Sequence, residues 1–189
     1  LVDAVFPLSK FDQQIAARCE TLVQSSREGL APGERKGVTL GKLGVEAIDN
    51  GRKYSSVELT WDDDARTATL TIEGPSAEDV ALAERGAEAL HEAGDQSWAL
   101  RAYRELDDAL LHLRCNHANV GLVLVRAKGD AKRVLAHDAA LVKARDHWFV
   151  REVLLHMGRV LRRMDNTSRS FFALGDAGTA FAGNLLELA

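Results

Sequence analysis

The residues with the clearest chemical potential lie in the segment GDAGTAFAGNLLELA, residues 175–189. Three glycines and several alanines lead into the apolar run NLLELA, which predicts a glycine-rich turn between a strand and a helix. Free backbone N–H groups at such a helix start can bind an oxyanion, and the helix dipole favours negative charge there. Small residues in this turn also let a helix pack closely on a sheet. Both interpretations remain open, and the residue types alone favour the packing corner.

Glu187 is the one ionisable residue of this apolar run. Its carboxylate either faces solvent or is buried, and burial of a carboxyl group is one way in which proteins prepare a general acid or base. One turn of helix does not distinguish the two positions. Glu187 is therefore a candidate catalytic residue.

Histidines and arginines offer weaker candidates. His112 and His117 flank Cys115 without a third ligand nearby in sequence, so we expect surface residues and no metal site. His147 and His156 are nine positions apart, which places them on different faces of a helix. Three arginines could bind phosphate groups or form the solvated face of a helix, and the pattern favours the solvated face: Arg159, Arg162 and Arg163.

Hydrophobic periodicity predicts the elements that must position these residues. A helix is expected at 10–26 and a β-hairpin at 54–74, followed by residues of helical composition at 76–93 with a Ser76–Asp79 capping box. Further along we predict a helix at 97–116, a strand at 120–127, one long or two shorter helices at 131–165, and a short strand with its turn at 168–178. Both late strands are expected to be buried. This alternation predicts an α/β fold with parallel strands joined by right-handed crossovers.

Composition excludes several function classes. The 189 residues are 46% hydrophobic and carry a formal net charge of −4 without basic runs, which argues against a nucleic-acid surface or an anionic membrane. No stretch approaches the roughly 20 apolar residues of a membrane span, and the first residues do not resemble a signal peptide. Cys19 and Cys115 are expected to be small buried residues without a disulfide. A cytoplasmic protein is the expected class.

Several segments, in this order, resemble the crotonase (enoyl-CoA hydratase/isomerase) superfamily. They are the hairpin YSSVELTWDDDARTATLTIEGP, the helix ELDDALLHL, the strand VGLVLVRAKGD and the final SRSFFALGDAGTAFAGNLLELA. The resemblance implies an incomplete crotonase-like ββα spiral preceded by a helix from a neighbouring module. Residues 1–26 would be the C-terminal tail of an upstream module, 27–52 a linker, and 53–189 the N-terminal part of a second module.

The strings DHWFVRE, TSRSFFAL and FAGNLLELA resemble more narrowly the superfamily lyases of aerobic benzoate degradation. These enzymes open the ring of an oxygenated (epoxy or dihydrodiol) benzoyl-CoA and release a one-carbon fragment. The resemblance implies an acyl-CoA thioester substrate, and no separate cofactor, because CoA belongs to the substrate. It also implies that the remaining modules of the same protein are partners, and that the protein is a homo-oligomer.

The resemblance also implies site residues. Glu187 falls where hydratases have a catalytic glutamate, Asn184 after Gly183 would supply one oxyanion amide, and Ala136 belongs to the segment that would supply the other. The family's three-glycine string is absent, and its second catalytic acid would lie beyond residue 189.

We therefore expect this segment to be a degenerate scaffold module. The alternatives are that Glu187 and the turn at 178–184 take part in catalysis, or that the segment is a non-catalytic interaction or oligomerisation module. It could also belong to an enoyl-CoA hydratase/isomerase of another pathway, or be a separate small protein that shares the topology.

Overall fold

The computed structural model describes residues 2–27 and 37–189, which fall into two units, Leu1–Gly37 and Val38–Ala189. The first unit contains one helix, α1 (Leu8–Arg27), which confirms the helix predicted at 10–26. Its apolar residues recur at helical spacing but remain about half exposed, as Ile15 shows at 50%. The hydrophobic face of α1 is therefore not buried by the rest of its own unit.

The second unit is built on a six-stranded sheet whose spatial order follows the chain. The strands are β1 (Glu46–Ile48), β2 (Gly51–Lys53), β3 (Val57–Asp62), β4 (Thr67–Glu73), β5 (Leu122–Lys128) and β6 (Ser170–Ala173). β1 to β4 pair antiparallel, whereas β5 and β6 add in parallel through helical crossovers. The unit is thus mixed α/β, consistent with part of a crotonase-like fold, and the predicted hairpin and parallel pairing are confirmed.

The sheet begins earlier than the predicted boundary at residue 53. Residues 46–53 form the β1–β2 hairpin, and all of them except Lys53 fall within the expected linker at 27–52. The turn of this hairpin holds Asn50 at φ 49°. Gly51 permits the close pairing with β3, because a Cβ there would lie 2.8 Å from the Leu59 carbonyl oxygen. Part of the expected linker, residues 28–36, lies outside the described residues.

The second unit also contains five helices. They are α2 (Ala77–Glu84), α3 (Ala87–Ala93), α4 (Trp98–Asn116), α5 (Ala131–Lys143) and α6 (Trp148–Asp165), of which α4 packs on the sheet. The Ser76–Asp79 capping box begins α2 as predicted, and Gly86 at φ 99° divides the helical residues 76–93 into α2 and α3. The stretch 131–165 contains two helices, because His147 starts α6 as its N-cap. None of the described helices has the length and apolar composition that a membrane span requires.

The core lies between the sheet and α4. Leu59, Leu70 and Val125 project from the central strands, and Tyr103 and Leu106 of α4 are completely buried. The predicted burial of the two late strands is only partly correct. β5 alternates buried and half-buried residues, whereas β6 has no buried residue and leaves Phe172 59% exposed. β6 is an edge strand in the described part of the chain, and its residues alternate between exposed and half-buried positions, with Phe172 on the exposed face.

Two further expectations are corrected. Cys19 and Cys115 are free thiols, as expected, but both are exposed. Cys115 lies on the face of α4 opposite to the buried Leu106, Leu110 and Leu113, which explains its exposure. The chain beyond the glycine-rich turn forms a six-residue 3-10 helix, Gly183–Leu188, which we call the terminal 3-10 helix, and not an α-helix.

Candidate functional site

Three elements meet at Asn184, the second residue of the terminal 3-10 helix. Its backbone N–H donates to Asp138 Oδ2 of α5 over 2.7 Å, and its side-chain amide donates to Asp138 Oδ1. From α4, the Tyr103 hydroxyl donates to Asn184 Oδ1 over 2.7 Å. We call these three residues the Asp138 network. It ties α4, α5 and the end of the chain together through one asparagine.

The electrostatics of the Asp138 network follow from its burial. Burial raises the pKa of Asp138, while the two hydrogen bonds from Asn184 act in the opposite direction. Burial also raises the pKa of Tyr103, and the nearby carboxylates of Asp138 and Glu187 add to this effect. Tyr103 is therefore a neutral hydrogen-bond donor at physiological pH, and Asp138 accepts both hydrogen bonds of Asn184.

Gly183 lies directly against the Asp138 carboxylate. A Cβ at this position would overlap Asp138 Oδ2, and Gly183 also holds a positive φ of 49°. Only glycine combines this conformation with so close a contact. The carboxylate thus fills the space in which a thioester oxygen would have to lie to accept the Asn184 amide.

The structure brings together two of the four predicted site residues, Gly183 and Asn184. Glu187 is exposed on the terminal 3-10 helix. Ala136 is the sixth residue of α5, so its amide lies beyond the four free N–H groups of the helix start and belongs to the helix ladder. Its side chain instead faces a cavity of about 660 Å³ that is also lined by α2 and α3 residues.

Sequence reasoning missed two residues of this site, Tyr103 and Asp138. The sequence places Tyr103 only within the helix predicted at 97–116, although a buried phenol normally requires a hydrogen-bond partner. The sequence places Asp138 only within the helical stretch predicted at 131–165. Neither residue signals its partner, because Asn184 is 81 positions from Tyr103 and 46 from Asp138.

A second candidate site is a cleft of about 480 Å³ between α4 and α6, closed on one side by residues 38–43. Leu100, Leu111 and Phe149 form apolar walls, and the lining also includes charged residues. Arg104 there is fixed by Asp95 at 3.3 Å and by the Gly41 carbonyl at 2.7 Å. The cleft can hold an apolar group with a polar end.

His156 lies on the wall of this cleft. Arg159 donates to its Nδ1 over 3.1 Å, so the proton of the neutral ring is on Nε2, a buried atom without a partner among the described residues. Burial lowers the pKa of His156, and Arg159 reinforces this. Of the arginines predicted to be solvated, Arg162 is exposed, but Arg163 is half-buried and paired with Asp107.

Metal-ligating side chains converge at one place among the described residues, where Glu88, His91 and His147 meet. His112 and His117, the histidines that flank Cys115 in the sequence, do not belong to this cluster. The rings of His117 and His112 pack on Trp61 with centroid distances of 4.0 and 5.5 Å.

Comparison with known proteins identifies a relative of the whole chain. No protein-family model matches it. Benzoyl-CoA-dihydrodiol lyase of Aromatoleum evansii is 42% identical over 189 residues, which is 100% of this chain and 33% of the relative. The chain thus spans about a third of the length of the curated relative that it matches. This identity confirms the resemblance seen in the sequence: along its whole length the chain is similar to part of benzoyl-CoA-dihydrodiol lyase.

Proposed function

We propose that the whole protein is a benzoyl-CoA-dihydrodiol lyase and that this segment is a non-catalytic module of it. The activity is inferred from the name of the relative, which this chain matches along its entire length. The structural role is inferred from one observation, the hydrogen bond from the Asn184 amide to the Asp138 carboxylate. The two parts of the proposal rest on different evidence and need different experiments.

The backbone amide of Asn184 is already hydrogen-bonded to Asp138, which argues against thioester chemistry in this segment. Acyl-CoA chemistry of this type needs preorganised N–H donors aimed at the oxygen on which charge develops, and loss of one donor typically costs about 2.7–4 kcal/mol of barrier. Here the Asn184 donor is already paired with a carboxylate oxygen. A substrate oxygen would have to displace Asp138 and would meet its negative charge.

The position of Glu187 supports the same conclusion. An effective general acid or base needs a defined approach to the reacting group and a water-excluding environment. Glu187 is exposed on a short 3-10 helix, whereas Leu185 and Leu188 of the same helix are buried. Glu187 therefore shares the exposed side of the helix with Leu186, while Leu185 and Leu188 face the core.

Calorimetric titration of this polypeptide with benzoyl-CoA tests the role of the segment. We expect no binding by the wild type or by Glu187→Gln, with circular dichroism to show that both are folded. Asp138→Ala frees the Asn184 amide and removes the charge, so this variant is the one expected to gain measurable affinity. Asp146→Ala, which removes an exposed carboxylate just after α5, is the matched control.

Specific binding by the wild type that Glu187→Gln weakens would show that this segment contributes to the active site. That result would overturn the scaffold role and favour the catalytic alternative. It would leave the assignment of the whole protein as a lyase intact.

The lyase activity is tested separately in the full-length protein. Incubation with the dihydrodiol of benzoyl-CoA should give a ring-opened CoA thioester, detectable by mass spectrometry. The Glu187→Gln substitution in the full-length protein should leave kcat within about twofold, because an exposed group outside the site provides no transition-state stabilisation. An unchanged substrate after long incubation would contradict the proposed activity.

Three further parts of the proposal come from the resemblance. CoA enters as part of the substrate and not as a separate cofactor, the remaining modules of the protein contact this one, and the protein is a cytoplasmic homo-oligomer. The half-exposed apolar face of α1 and the exposed edge strand β6 are consistent with contacts beyond the described residues.

A further inference from the structure

Three metal-ligating side chains converge at a position that does not involve the Asp138 network. Glu88 and His91 lie on α3, and His147 is the N-cap of α6. Each offers one ligand atom, and these three atoms lie within 4.8 Å of one another. His147 Nε2 and Glu88 Oε1 are already 3.6 Å apart.

These spacings are close to those of a bound metal ion. Ligand atoms about 2.1 Å from a tetrahedral zinc ion are about 3.4 Å from one another. The 3.6 Å between His147 and Glu88 is close to this value, and the His91 ligand atom must approach by at most about 1.4 Å. Glu88 is 81% exposed on its side chain, so its carboxylate is free to adjust.

The histidines are held by their surroundings. His91 lies three positions after Glu88, so both side chains project from the same face of α3. The His91 and Trp148 rings pack edge to face at a centroid distance of 5.0 Å, and the Phe149 ring lies 5.5 Å from that of His91. Rigid elements thus orient the two imidazoles, and the flexible carboxylate supplies the third ligand.

We propose that Glu88, His91 and His147 form a binding site for a divalent transition-metal ion, with zinc as the best fit. Two imidazoles and one carboxylate form a donor set typical of zinc sites that keep a fourth position open. The solvent-exposed side of Glu88 leaves room for a water molecule or an external ligand at that position.

The ring nitrogens of His147 indicate what binding would change. Its Nδ1 accepts the Phe149 backbone N–H at 3.3 Å, so Nε2 carries the proton of the neutral ring and faces Glu88. A metal at Nε2 requires its lone pair, so the proton must leave Nε2 or move to Nδ1. The cap to Phe149 is long and therefore weak, so its loss is a small penalty for binding.

Calorimetric titration of the full chain with Zn²⁺ tests the site at slightly alkaline pH, where ordinary imidazoles are neutral. We expect saturable binding of one ion per chain by the wild type. His147→Asn removes the imidazole but keeps an N-cap acceptor, so this variant should fold. His91→Gln removes the second imidazole. The matched control is His117→Ala, which removes a histidine that packs on Trp61, outside the proposed site.

Loss of a residue that only supports a metal ligand commonly weakens binding about 10- to 100-fold, so loss of a ligand should have at least this effect. We expect at least about tenfold weaker binding in His147→Asn and in His91→Gln, and affinity within about twofold of the wild type in His117→Ala. Zinc should also raise the Tm of the wild type but not that of the two ligand variants.

No saturable binding by the wild type would overturn the proposal. Retained affinity in either ligand variant, or an equal loss in His117→Ala, would overturn it as well. None of these results depends on the lyase assignment, because the site shares no residue with the Asp138 network and the titration uses the metal ion alone.

Discussion

His137 and Asp138 are adjacent ionisable residues of α5 that differ in their hydrogen bonds. Asp138 receives two hydrogen bonds from Asn184. His137, 1% exposed, has no partner for either ring nitrogen among the described residues and packs edge-on against Trp98. A buried imidazole of this kind is stable only when it is neutral. Burial lowers the pKa of His137 to about 4, although the charge of Asp79 acts in the opposite direction.

His137 should therefore make the protein sensitive to acid. Between the ordinary pKa of 6.5 and about 4, the unfolded chain binds a proton on His137 that the folded chain does not, so stability falls as the pH falls. The difference corresponds to about 3 kcal/mol by pH 4. We expect His137→Leu to be at least as stable as the wild type near neutral pH and to lose about 3 kcal/mol less on acidification.

Urea unfolding of both proteins near neutral pH and near pH 4 measures this difference. Equal losses of stability in the two proteins would contradict the prediction, because the substitution removes the titrating group but keeps an apolar side chain against Trp98. A variant that is much less stable near neutral pH would show that the ring nitrogens have partners after all.

Elements differ in how far their sequence predicts them. The helices α1, α4 and α6 follow from the 3.6-residue spacing of their apolar residues, and the Ser76–Asp79 capping box marks the start of α2. The terminal 3-10 helix does not follow from its sequence. Its residues NLLELA have good α-helix formers, but Gly183 with positive φ and the hydrogen bonds of Asn184 to Asp138 set its start. Tertiary contacts decide its form.

The candidate site was only partly predictable for the same reason. The family resemblance points to Gly183 and Asn184 as site residues, and both lie at the Asp138 network. The carboxylate that occupies the amide comes from Asp138, a residue 46 positions earlier in another helix. No local pattern connects the two. Glu105, a buried residue of α4, is another carboxylate whose partner is distant in sequence. It accepts the backbone N–H of Ser56, a residue of the β2–β3 connection, over 2.7 Å.

The docking of the terminal 3-10 helix on α5 can be tested through Gly183 and Asp138. Gly183→Ala places a methyl group against the carboxylate at a positive φ, so we expect a loss of about 2–3 kcal/mol in the free energy of unfolding. Asp138→Ala leaves the amides of Asn184 without acceptors and should lose about 1–3 kcal/mol. The double variant removes the overlap, so its loss should be smaller than the sum.

Urea denaturation of the four proteins gives the coupling energy between the two positions. Residues in contact usually show couplings of about 0.5–3 kcal/mol. Additive losses within about 0.5 kcal/mol would mean that the carboxylate does not lie against Gly183, and the argument that it blocks the Asn184 amide would fail with it.

At the scale of the whole molecule, the residues of the hydrophobic core and helix α1 belong to different units. Among residues 2–27 and 37–189, every core residue lies between Tyr54 and Leu188, within the second unit. The sheet of that unit was predictable from alternating apolar residues in β3 and β4, whereas β1 and β2 are three-residue strands without an apolar pattern. Such short strands take their conformation from pairing with the neighbouring strand. Their sequence therefore does not predict them, and the stretch is expected to be a linker.

This division predicts the behaviour of a shorter chain. A fragment of residues 38–189 contains the whole core, so it should unfold in one cooperative transition with a free energy within about 1 kcal/mol of the full chain. A peptide of residues 2–27 should lose most of its helical signal in far-UV circular dichroism, because an isolated helix of this size is marginal in water and its apolar face is half exposed. Failure of the fragment to unfold cooperatively would show that residues before 38 complete the core. A stably helical peptide would show instead that α1 needs no partner surface, and the interpretation of α1 as the tail of a neighbouring module would lose its physical basis.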